Sequence, residues 1–202
     1  MFTGIIENIA LVKEIKAFQS NITFTFECAF VNELKIDQSV AHNGVCLTVV
    51  EINNNNNTYA VTAIEETLSR TNLSYLKLND IVNIERCLKL NGLLDGHLVQ
   101  GHVDTTATCV KITEEGGSSK YFFEYRATDQ LGYLTVEKGS ITVNGVSLTV
   151  VDSGLNSFSV AIIPYTKEHT NFKYLKSGDL VNIEFDIIGK YVAKLLAKSN
   201  PL

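Results

Sequence analysis

Two segments of the sequence occur twice, and this internal repeat constrains the fold more than any other feature. The segment NGVCLTVV at 43–50 returns as NGVSLTVV at 144–151, and YLKLNDIVNIE at 75–85 returns as YLKSGDLVNIE at 174–184. A weaker echo relates Gly4-Ile5-Ile6 to Gly101-His102-Val103. Self-similarity of this kind indicates repeated structural units. The chain is therefore predicted to be a tandem duplication, with halves of about 95 residues that have the size of small domains.

Each half has the pattern of a β-protein. In GVCLTVV the apolar residues Val45, Leu47 and Val49 alternate with Cys46 and Thr48, as side chains do along a strand. Other segments are rich in β-branched and aromatic residues and are bounded by turn residues. They predict further strands at 21–27, 58–63, 120–125 and 158–163.

Turn residues connect these strands. Asn43-Gly44 and Asn144-Gly145 are typical of hairpins, because a type I′ turn needs positive φ at both central residues. Short strands at this spacing predict a small closed antiparallel barrel in each half. Short helical turns are predicted at 65–70 and 165–170.

The C-terminal segment departs from the β pattern and has no counterpart in the first half. Its apolar residues have a helical period with lysines between them. These residues are Ile187, Ile188, Tyr191, Val192, Leu195 and Leu196. We expect a helix whose apolar stripe packs either on the chain's own barrels or on other copies of the chain.

Composition restricts the class of partner and the compartment. The 22 acidic residues outnumber the 17 basic ones, and the net charge of −5 disfavours a nucleic-acid partner. No apolar run approaches the roughly 18 residues of a membrane span. The N-terminus lacks the basic region of a targeting signal. The four cysteines lie far apart without a C-x-x-C motif, which indicates free thiols and a cytoplasmic protein.

Neither a metal site nor a nucleotide-binding loop is predicted. His97 and His102 are five residues apart, so neither a strand nor a helix presents both to one ion. The pair Gly96 and Gly101 lacks the lysine of a phosphate-binding loop, and GxGxxG is absent.

Two positions differ between the halves in ways that concern chemistry. Cys46 is either a buried structural thiol or part of a polar, ligand-binding face, and its counterpart Ser147 favours the second interpretation. His102 corresponds to Ile5, and it is either a surface histidine or a functional imidazole in one of two like pockets.

Taken together, these motifs resemble the riboflavin synthases of the α-subunit type. The resemblance rests on MFTGII at 1–6, the two NGV(C/S)LTV motifs, GHLVQGHVD at 96–104, the two VNIE motifs and the C-terminal helix. It implies a mainly β fold of two tandem, homologous, antiparallel six-stranded barrels plus a C-terminal α-helix. It also implies lumazine-binding barrels at 1–96 and 97–186, a trimerisation helix and tail at 187–202, and no cofactor.

The resemblance further implies a transferase reaction. Two molecules of 6,7-dimethyl-8-ribityllumazine dismutate by four-carbon transfer into riboflavin and 5-amino-6-ribitylamino-2,4-pyrimidinedione. Two homologous pockets would hold these identical substrates in opposite roles, which accounts for the duplication. The alternative is a non-catalytic lumazine- or flavin-binding protein of the antenna type. Association of the implied homotrimer with lumazine synthase is left open.

Matching motif to motif assigns substrate-binding residues to each half. The first pocket is expected to contain Gly4, Ile5, Ile6, Ser39, Cys46, Leu47, Thr48, Thr62, Ala63, Ile64, Glu65, Glu66 and Thr67. The second is expected to contain Gly101, His102, Val103, Ser147, Leu148, Thr149, Ala161, Ile162, Ile163, Pro164, Tyr165 and Thr166, with Lys138 from another subunit.

The resemblance also suggests catalytic roles. His102 is expected to act as acid or base at the lumazine methyl group, with Ser147 and Thr149 orienting water or substrate. Cys46, Ser147 or a water is the nucleophile, and the sequence does not choose among them. Asp186 matches an acid of the family site, where the first half has Cys87.

Overall fold

The computed structural model describes residues 1–126 and 132–199, and it consists of two closed barrels followed by a helix. The first barrel contains β1 (Asn8–Phe18), β2 (Asn21–Glu27), β3 (Ser39–His42), β4 (Val45–Asn53), β5 (Thr58–Ala63) and β6 (Ile81–Arg86). The second contains β7 (Thr105–Glu115), β8 (Ser118–Tyr125), β9 (Ser140–Val143), β10 (Val146–Ser153), β11 (Ser157–Ile162) and β12 (Leu180–Phe185).

Both barrels have the same strand order. The first closes as β1-β2-β5-β4-β3-β6 and the second as β7-β8-β11-β10-β9-β12, with every pairing antiparallel. The predicted fold of two six-stranded barrels is therefore confirmed. The predicted strands at 21–27 and 58–63 have the bounds of β2 and β5, whereas the two 11-residue strands β1 and β7 were not predicted.

Each barrel is filled by one face of its strands. Val12, Phe24, Val49, Val61 and Val82 are buried in the first interior. Val150, Val160 and Val181 occupy matching positions in the second. Because side chains alternate along a strand, the other face of each strand points out of the barrel. Part of that outer face lies between the two barrels.

The predicted Asn-Gly turns are present, and they meet at the centre of the molecule. Asn43 and Gly44 have φ of 46° and 80°, and Asn144 and Gly145 have φ of 45° and 82°. A Cβ added to Gly145 would lie 2.8 Å from the backbone nitrogen of Gly44, and one added to Gly44 would lie 2.8 Å from that of Gly145. The two turns therefore stand back to back on a pseudo-twofold axis.

Buried asparagines join the barrels around this axis. The Asn83 side-chain amide donates to the Asn144 carbonyl at 2.9 Å, and the Asn182 amide donates to the Asn43 carbonyl at 2.9 Å. Asn83 and Asn182 are the asparagines of the two VNIE motifs. Backbone and side-chain groups of each Asn-Gly turn also bond the VNIE strand of its own half.

Two short 3-10 turns, Asn72–Tyr75 and Asn171–Lys173, complete the junction. The backbone N–H of Asn72 donates to Asn182 Oδ1 at 2.6 Å, and that of Asn171 donates to Asn83 Oδ1 at 2.7 Å. Buried amides are costly unless they are paired, so this reciprocal set fixes one relative placement of the barrels.

Three helices accompany the barrels. The predicted helical turns form α1 (Glu65–Arg70) and α2 (Pro164–His169), and the predicted C-terminal helix is α3 (Ile187–Ser199). Residues 200–202 of the predicted tail lie outside the described part of the chain. The Lys190 ammonium bonds the Asp104 carboxylate at 2.6 Å and ties α3 to the second barrel. The apolar stripe of α3 is largely exposed.

His42 is a buried titratable group inside the first barrel. Its ring stacks on Phe26, and its Nε2 lies 2.7 Å from the Tyr59 hydroxyl. Val143 occupies the corresponding position in the second barrel. Burial lowers the pKa of His42 to about 3, because the interior disfavours the imidazolium.

The contact between the turns predicts the effect of an added methyl group. Gly178→Ala should cost about 1–2 kcal/mol of stability, because φ is positive there but nothing lies within 4 Å of the added Cβ. Gly145→Ala should cost about 1–3 kcal/mol more, since its Cβ meets the Gly44 backbone. Urea unfolding of both variants measures the difference. Equal losses would show that the turns do not hold the barrels together.

The neutral His42 predicts a pH dependence of stability. Its folded pKa is depressed below the unfolded value of about 6.5, so its contribution is complete above that pH and is lost as pH falls toward 3. His42→Val introduces the residue of the second barrel. Between pH 6.5 and 4.5 the unmodified protein should lose up to about 1.4 kcal/mol per pH unit more than the variant. Parallel stability curves from urea unfolding would contradict this assignment.

Candidate functional site

Six outward-pointing side chains, five on three adjacent strands and one directly after the last of them, form an equivalent surface in each half. The first outer face consists of Ser39, Ala41, Cys46, Thr48, Glu85 and Cys87. The second outer face consists of Ser140, Thr142, Ser147, Thr149, Glu184 and Asp186. The strand pairings place Ala41 opposite both Cys46 and Glu85, and Thr142 opposite both Ser147 and Glu184.

The segment that precedes each barrel crosses to the outer face of the other barrel. Ser147 N donates to the Gly4 carbonyl at 2.8 Å, and Cys46 N donates to the Gly101 carbonyl at 2.9 Å. A Cβ on either glycine would lie 2.6 Å from the Cβ of its partner residue. Both glycines have positive φ, so the close approach and the backbone conformation each require glycine.

The glutamates of the VNIE motifs anchor these crossing segments. Glu85 accepts hydrogen bonds from Thr3 N at 2.6 Å and Gly4 N at 3.0 Å. Glu184 accepts from Gln100 N at 2.7 Å and His102 N at 2.8 Å. Burial raises the pKa of both carboxyl groups, and these N–H donors oppose the shift. The two glutamates therefore fix the backbone of the crossing segments.

The crossing corrects the grouping of residues predicted from the sequence. Gly4 and Ile6 were grouped with Cys46, and Gly101 and Val103 with Ser147. In the structure Gly4 lies against Ser147 and Ile6 packs on the second barrel, whereas Gly101 lies against Cys46 and Val103 packs on the first barrel. These contacts differ from the grouping by half, because the repeat shows which residues are equivalent and does not show which strands they contact.

The first outer face is lined by apolar groups next to Cys46. Phe2, Val99 and Ala41 form a buried cluster against which Cys46 and Cys87 pack. Phe2 and Val99 also pair through their backbones. Burial raises the pKa of the Cys46 thiol, and a hydrogen bond with Ser39 opposes the shift. At neutral pH Cys46 is therefore a thiol and not a thiolate.

The second outer face carries an imidazole that contacts Ser147 and Thr142, the counterparts of Cys46 and Ala41. His97 Nδ1 lies 2.7 Å from the Ser147 hydroxyl, and its Nε2 lies 3.1 Å from the Thr142 hydroxyl. Burial lowers the pKa of His97, and the negative charge of Asp186 partly offsets the shift. At neutral pH the ring is uncharged, with one nitrogen as donor and the other as acceptor.

Asp186 has a second, structural contact. Its Oδ1 accepts a hydrogen bond from Ile188 N at 2.9 Å, so the side chain caps the N-terminus of α3. The predicted site acid is thus fixed at the end of β12 by the helix that follows. Cys87, its counterpart, ends the first barrel without a following helix.

His102 is exposed, and among the described residues no hydrogen bond of its ring is present. Its backbone is held by Glu184, and the neighbouring Gly101 lies on Cys46. Within one chain, the imidazole that bonds Ser147 is therefore that of His97.

The remaining predicted binding residues divide between barrel interiors and outer surfaces. Leu47, Ala63 and Ile162 are buried in the interiors, and Leu148 packs there. Those that are exposed or half-buried are Ile5, Ser39, Thr48, Thr62, Ile64, Lys138, Thr149, Ala161 and Ile163. Glu65, Glu66 and Thr67 begin α1 shortly after β5, and Pro164, Tyr165 and Thr166 begin α2 shortly after β11.

Several site residues were missed by the sequence analysis. Phe2 and His97 stand in the quoted MFTGII and GHLVQGHVD segments. By the offset that relates Gly4 to Gly101, Phe2 corresponds to the apolar Val99, and His97 lies outside the repeated segment, so neither was marked. Thr142 lacked a signal because its role depends on a crossing segment. For the two VNIE glutamates, which bond the crossing segments, the one available signal was the invariance of VNIE between the halves.

The remaining candidate features are metal ligands, membrane-spanning helices and thiols. In residues 1–126 and 132–199 no three His, Cys, Asp or Glu side chains are grouped as metal ligands would be. No helix in this part of the chain is long and apolar enough to cross a membrane. The four cysteines are free thiols, and burial raises the pKa of Cys28 and Cys109 to about 11.

Comparison with known proteins agrees with the duplicated architecture. The family model for the lumazine binding domain matches residues 3–87 and again residues 100–186. A riboflavin synthase of Actinobacillus pleuropneumoniae is 41% identical over 199 residues, which cover 98% of this chain and 91% of that protein. A riboflavin synthase of Bacillus subtilis (strain 168) is 37% identical, with coverage of 99% and 92%.

A solved structure shares the fold. The crystal structure of LumP complexed with 6,7-dimethyl-8-(1′-D-ribityl) lumazine superposes with a TM-score of 0.81 at 22% identity, covering 91% of this chain and 98% of that one. The two family matches and the full-length similarity to named synthases coincide with the two barrels described above. The chain therefore belongs to the riboflavin synthase family, as an enzyme built from two lumazine-binding domains.

Proposed function

We propose that this enzyme converts two molecules of 6,7-dimethyl-8-ribityllumazine into riboflavin and 5-amino-6-ribitylamino-2,4-pyrimidinedione by transfer of a four-carbon unit. The observation that carries the proposal is the presence of two equivalent outer faces whose chemistry differs. One has Cys46 beside Phe2, and the other has Ser147 bonded to His97. A reaction between two identical molecules in opposite roles needs two binding faces that have the same shape but carry different reactive groups.

The substrate rings are proposed to lie on the two outer faces. Thr48 and Thr149 are exposed hydroxyl groups at matching positions, and Thr62 and Ala161 lie on the adjacent strands. Ile64 and Ile163 are exposed beyond them, at the starts of α1 and α2, and offer apolar surface to a planar ring. Holding two rings in a reactive orientation contributes up to about 7–11 kcal/mol to the rate.

We propose that the active site is completed between subunits of a homotrimer. The first outer face of one subunit would meet the second outer face of its neighbour, with Lys138 near the junction. Since Gly101–Val103 lies on the first outer face, His102 of one subunit would then face Ser147 and Thr149 of the next. This arrangement gives the exposed His102 a substrate to contact, which it lacks within one chain.

In this arrangement His102 serves as the acid or base at the lumazine methyl group, and Ser147 and Thr149 orient the substrate or a water. Cys46 and Ser147 are the two protein groups that could add to a ring. Burial keeps Cys46 protonated, so the thiol is not activated as a thiolate. The Asp186 carboxylate acts electrostatically on His97 at the second outer face.

The alternative is a protein that binds lumazine or flavin without turnover, as in the antenna type. Such a protein needs one competent pocket, so it has no use for a second, chemically distinct face. The polar set His97, Thr142, Ser147 and Asp186 favours the enzyme. A cytoplasmic location and an association with lumazine synthase belong to the same proposal.

A direct assay tests the reaction. The purified chain incubated with 6,7-dimethyl-8-ribityllumazine should form riboflavin without a second substrate. His102→Gln should lower kcat by roughly 10- to 10⁴-fold while lumazine binding is retained, because an acid–base group is lost. Cys46→Ser should stay active, since serine serves the equivalent position. Binding without turnover by the unmodified chain would support the antenna alternative, and full activity of His102→Gln would exclude its role.

Variants in the exposed apolar stripe of α3 test whether the chain forms a trimer. Val192→Glu combined with Leu196→Glu places two charges on the apolar face, and it should yield monomers with little activity. Lys194→Glu changes the net charge by the same amount on the exposed lysine face and should remain trimeric. Sedimentation at micromolar concentration distinguishes them. A double variant that stays trimeric, or an unmodified chain that is monomeric, would contradict the proposal.

A further inference from the structure

His97 is the one imidazole that bonds outward-facing hydroxyls in the described part of the chain, and nothing in the proposed reaction yet uses it. Its two ring nitrogens contact two different residues, Ser147 at 2.7 Å and Thr142 at 3.1 Å. Thr142 is buried, whereas Ser147 is half-buried at the edge of the second outer face. The ring therefore connects a fixed hydroxyl inside the protein to a hydroxyl that can reach a ligand.

The backbone holds His97 tightly in this position. His97 N donates to the Thr3 carbonyl at 3.1 Å, and a Cβ on the preceding Gly96 would collide with the same carbonyl oxygen. Gly96 also lies so close to Ser147 that an added Cβ would be 2.9 Å from the Ser147 Cβ. The segment is thus packed between Thr3 and Ser147, and the ring has little freedom to leave the two hydroxyls.

The first outer face shows what this place looks like without an imidazole. There Phe2 is fully buried against Ala41, Cys46 and Cys87, and a Cβ on Gly101 would lie 2.9 Å from the Phe2 ring. An apolar ring thus packs on the counterparts of the residues that His97 contacts. Packing alone therefore does not require a histidine at 97, and the two hydrogen bonds are what the imidazole adds.

We propose that His97 is a positioning residue, which fixes the Ser147 hydroxyl in the orientation that the reaction uses and so makes the second outer face the more reactive of the two. This inference rests on the proposed function, because it assigns Ser147 to that reaction. One ring nitrogen bonds the Ser147 hydroxyl, and the other is held by the buried hydroxyl of Thr142. The orientation of the Ser147 O–H bond is therefore fixed by an imidazole that is itself held in place. Cys46 instead has a hydrogen bond with Ser39, and within residues 1–126 and 132–199 no imidazole bonds it.

The two ring nitrogens allow a matched pair of variants. The side-chain amide of asparagine lies where Nδ1 lies in histidine, and that of glutamine lies where Nε2 lies. His97→Asn can keep the bond to Ser147 and lose the one to Thr142, and His97→Gln does the reverse. We expect His97→Gln to lower kcat by roughly 10- to 100-fold and His97→Asn by less than about 10-fold. Lumazine affinity, measured by fluorescence titration, should change less than about threefold in both.

Combining His97→Gln with Ser147→Ala separates a positioning role of His97 from a merely structural one. If His97 acts through Ser147, His97→Gln should have no further effect on kcat once the hydroxyl is gone. A structural role would lower kcat by the same factor in both backgrounds. That result, or equal activity of His97→Asn and His97→Gln, would overturn the inference while leaving the proposed function intact. Absence of riboflavin formation by the unmodified chain would overturn the proposed function and the inference together.

Discussion

The asparagine junction on the pseudo-twofold axis determines how the rest of the molecule is arranged. Asn83 and Asn182 each reach across to the carbonyl of the opposite turn, and the glycines of the two turns touch through their backbones. These groups are buried amides, so each missing partner would cost about 1–3 kcal/mol, and the set tolerates no sliding. Because the barrels cannot shift, the spaces on their outer faces stay narrow. The two crossing segments fit there because glycine stands at each contact point.

On this symmetric frame, the halves differ where chemistry is concerned. Phe2 packs on Cys46 at the first outer face, whereas His97 bonds Ser147, the counterpart of Cys46, at the second. His42 and Val143 differ in the same way inside the barrels. The frame itself is nearly invariant, since the Asn-Gly turns and the VNIE strands repeat. The similarity of NGVCLTV and NGVSLTV thus reflects the junction as much as the site, because Asn43 and Gly44 serve the axis and Cys46 serves the face.

Sequence reasoning reached the fold because its determinants are local and repeated. Alternation and turn residues identified β2, β4, β5 and the Asn-Gly hairpins, and the helical period of the C-terminal segment identified α3. It did not reach the crossing of the segments at 4–6 and 101–103, because the contact between Gly4 and Ser147 joins residues more than a hundred positions apart. For the same reason it selected His102, which has a repeat partner, and passed over His97, which bonds Ser147.

The reciprocity of the junction bears on how such a chain could arise. Most bonds across the axis have a counterpart with the halves exchanged, as in an isologous interface between identical subunits. Two copies of a single-barrel chain could form them with one sequence. Joining the copies covalently makes that association independent of concentration. It also removes a restriction, because in a homodimer every substitution appears on both sides. A phenyl ring facing one cysteine and an imidazole facing one serine can evolve only after the two copies are encoded separately.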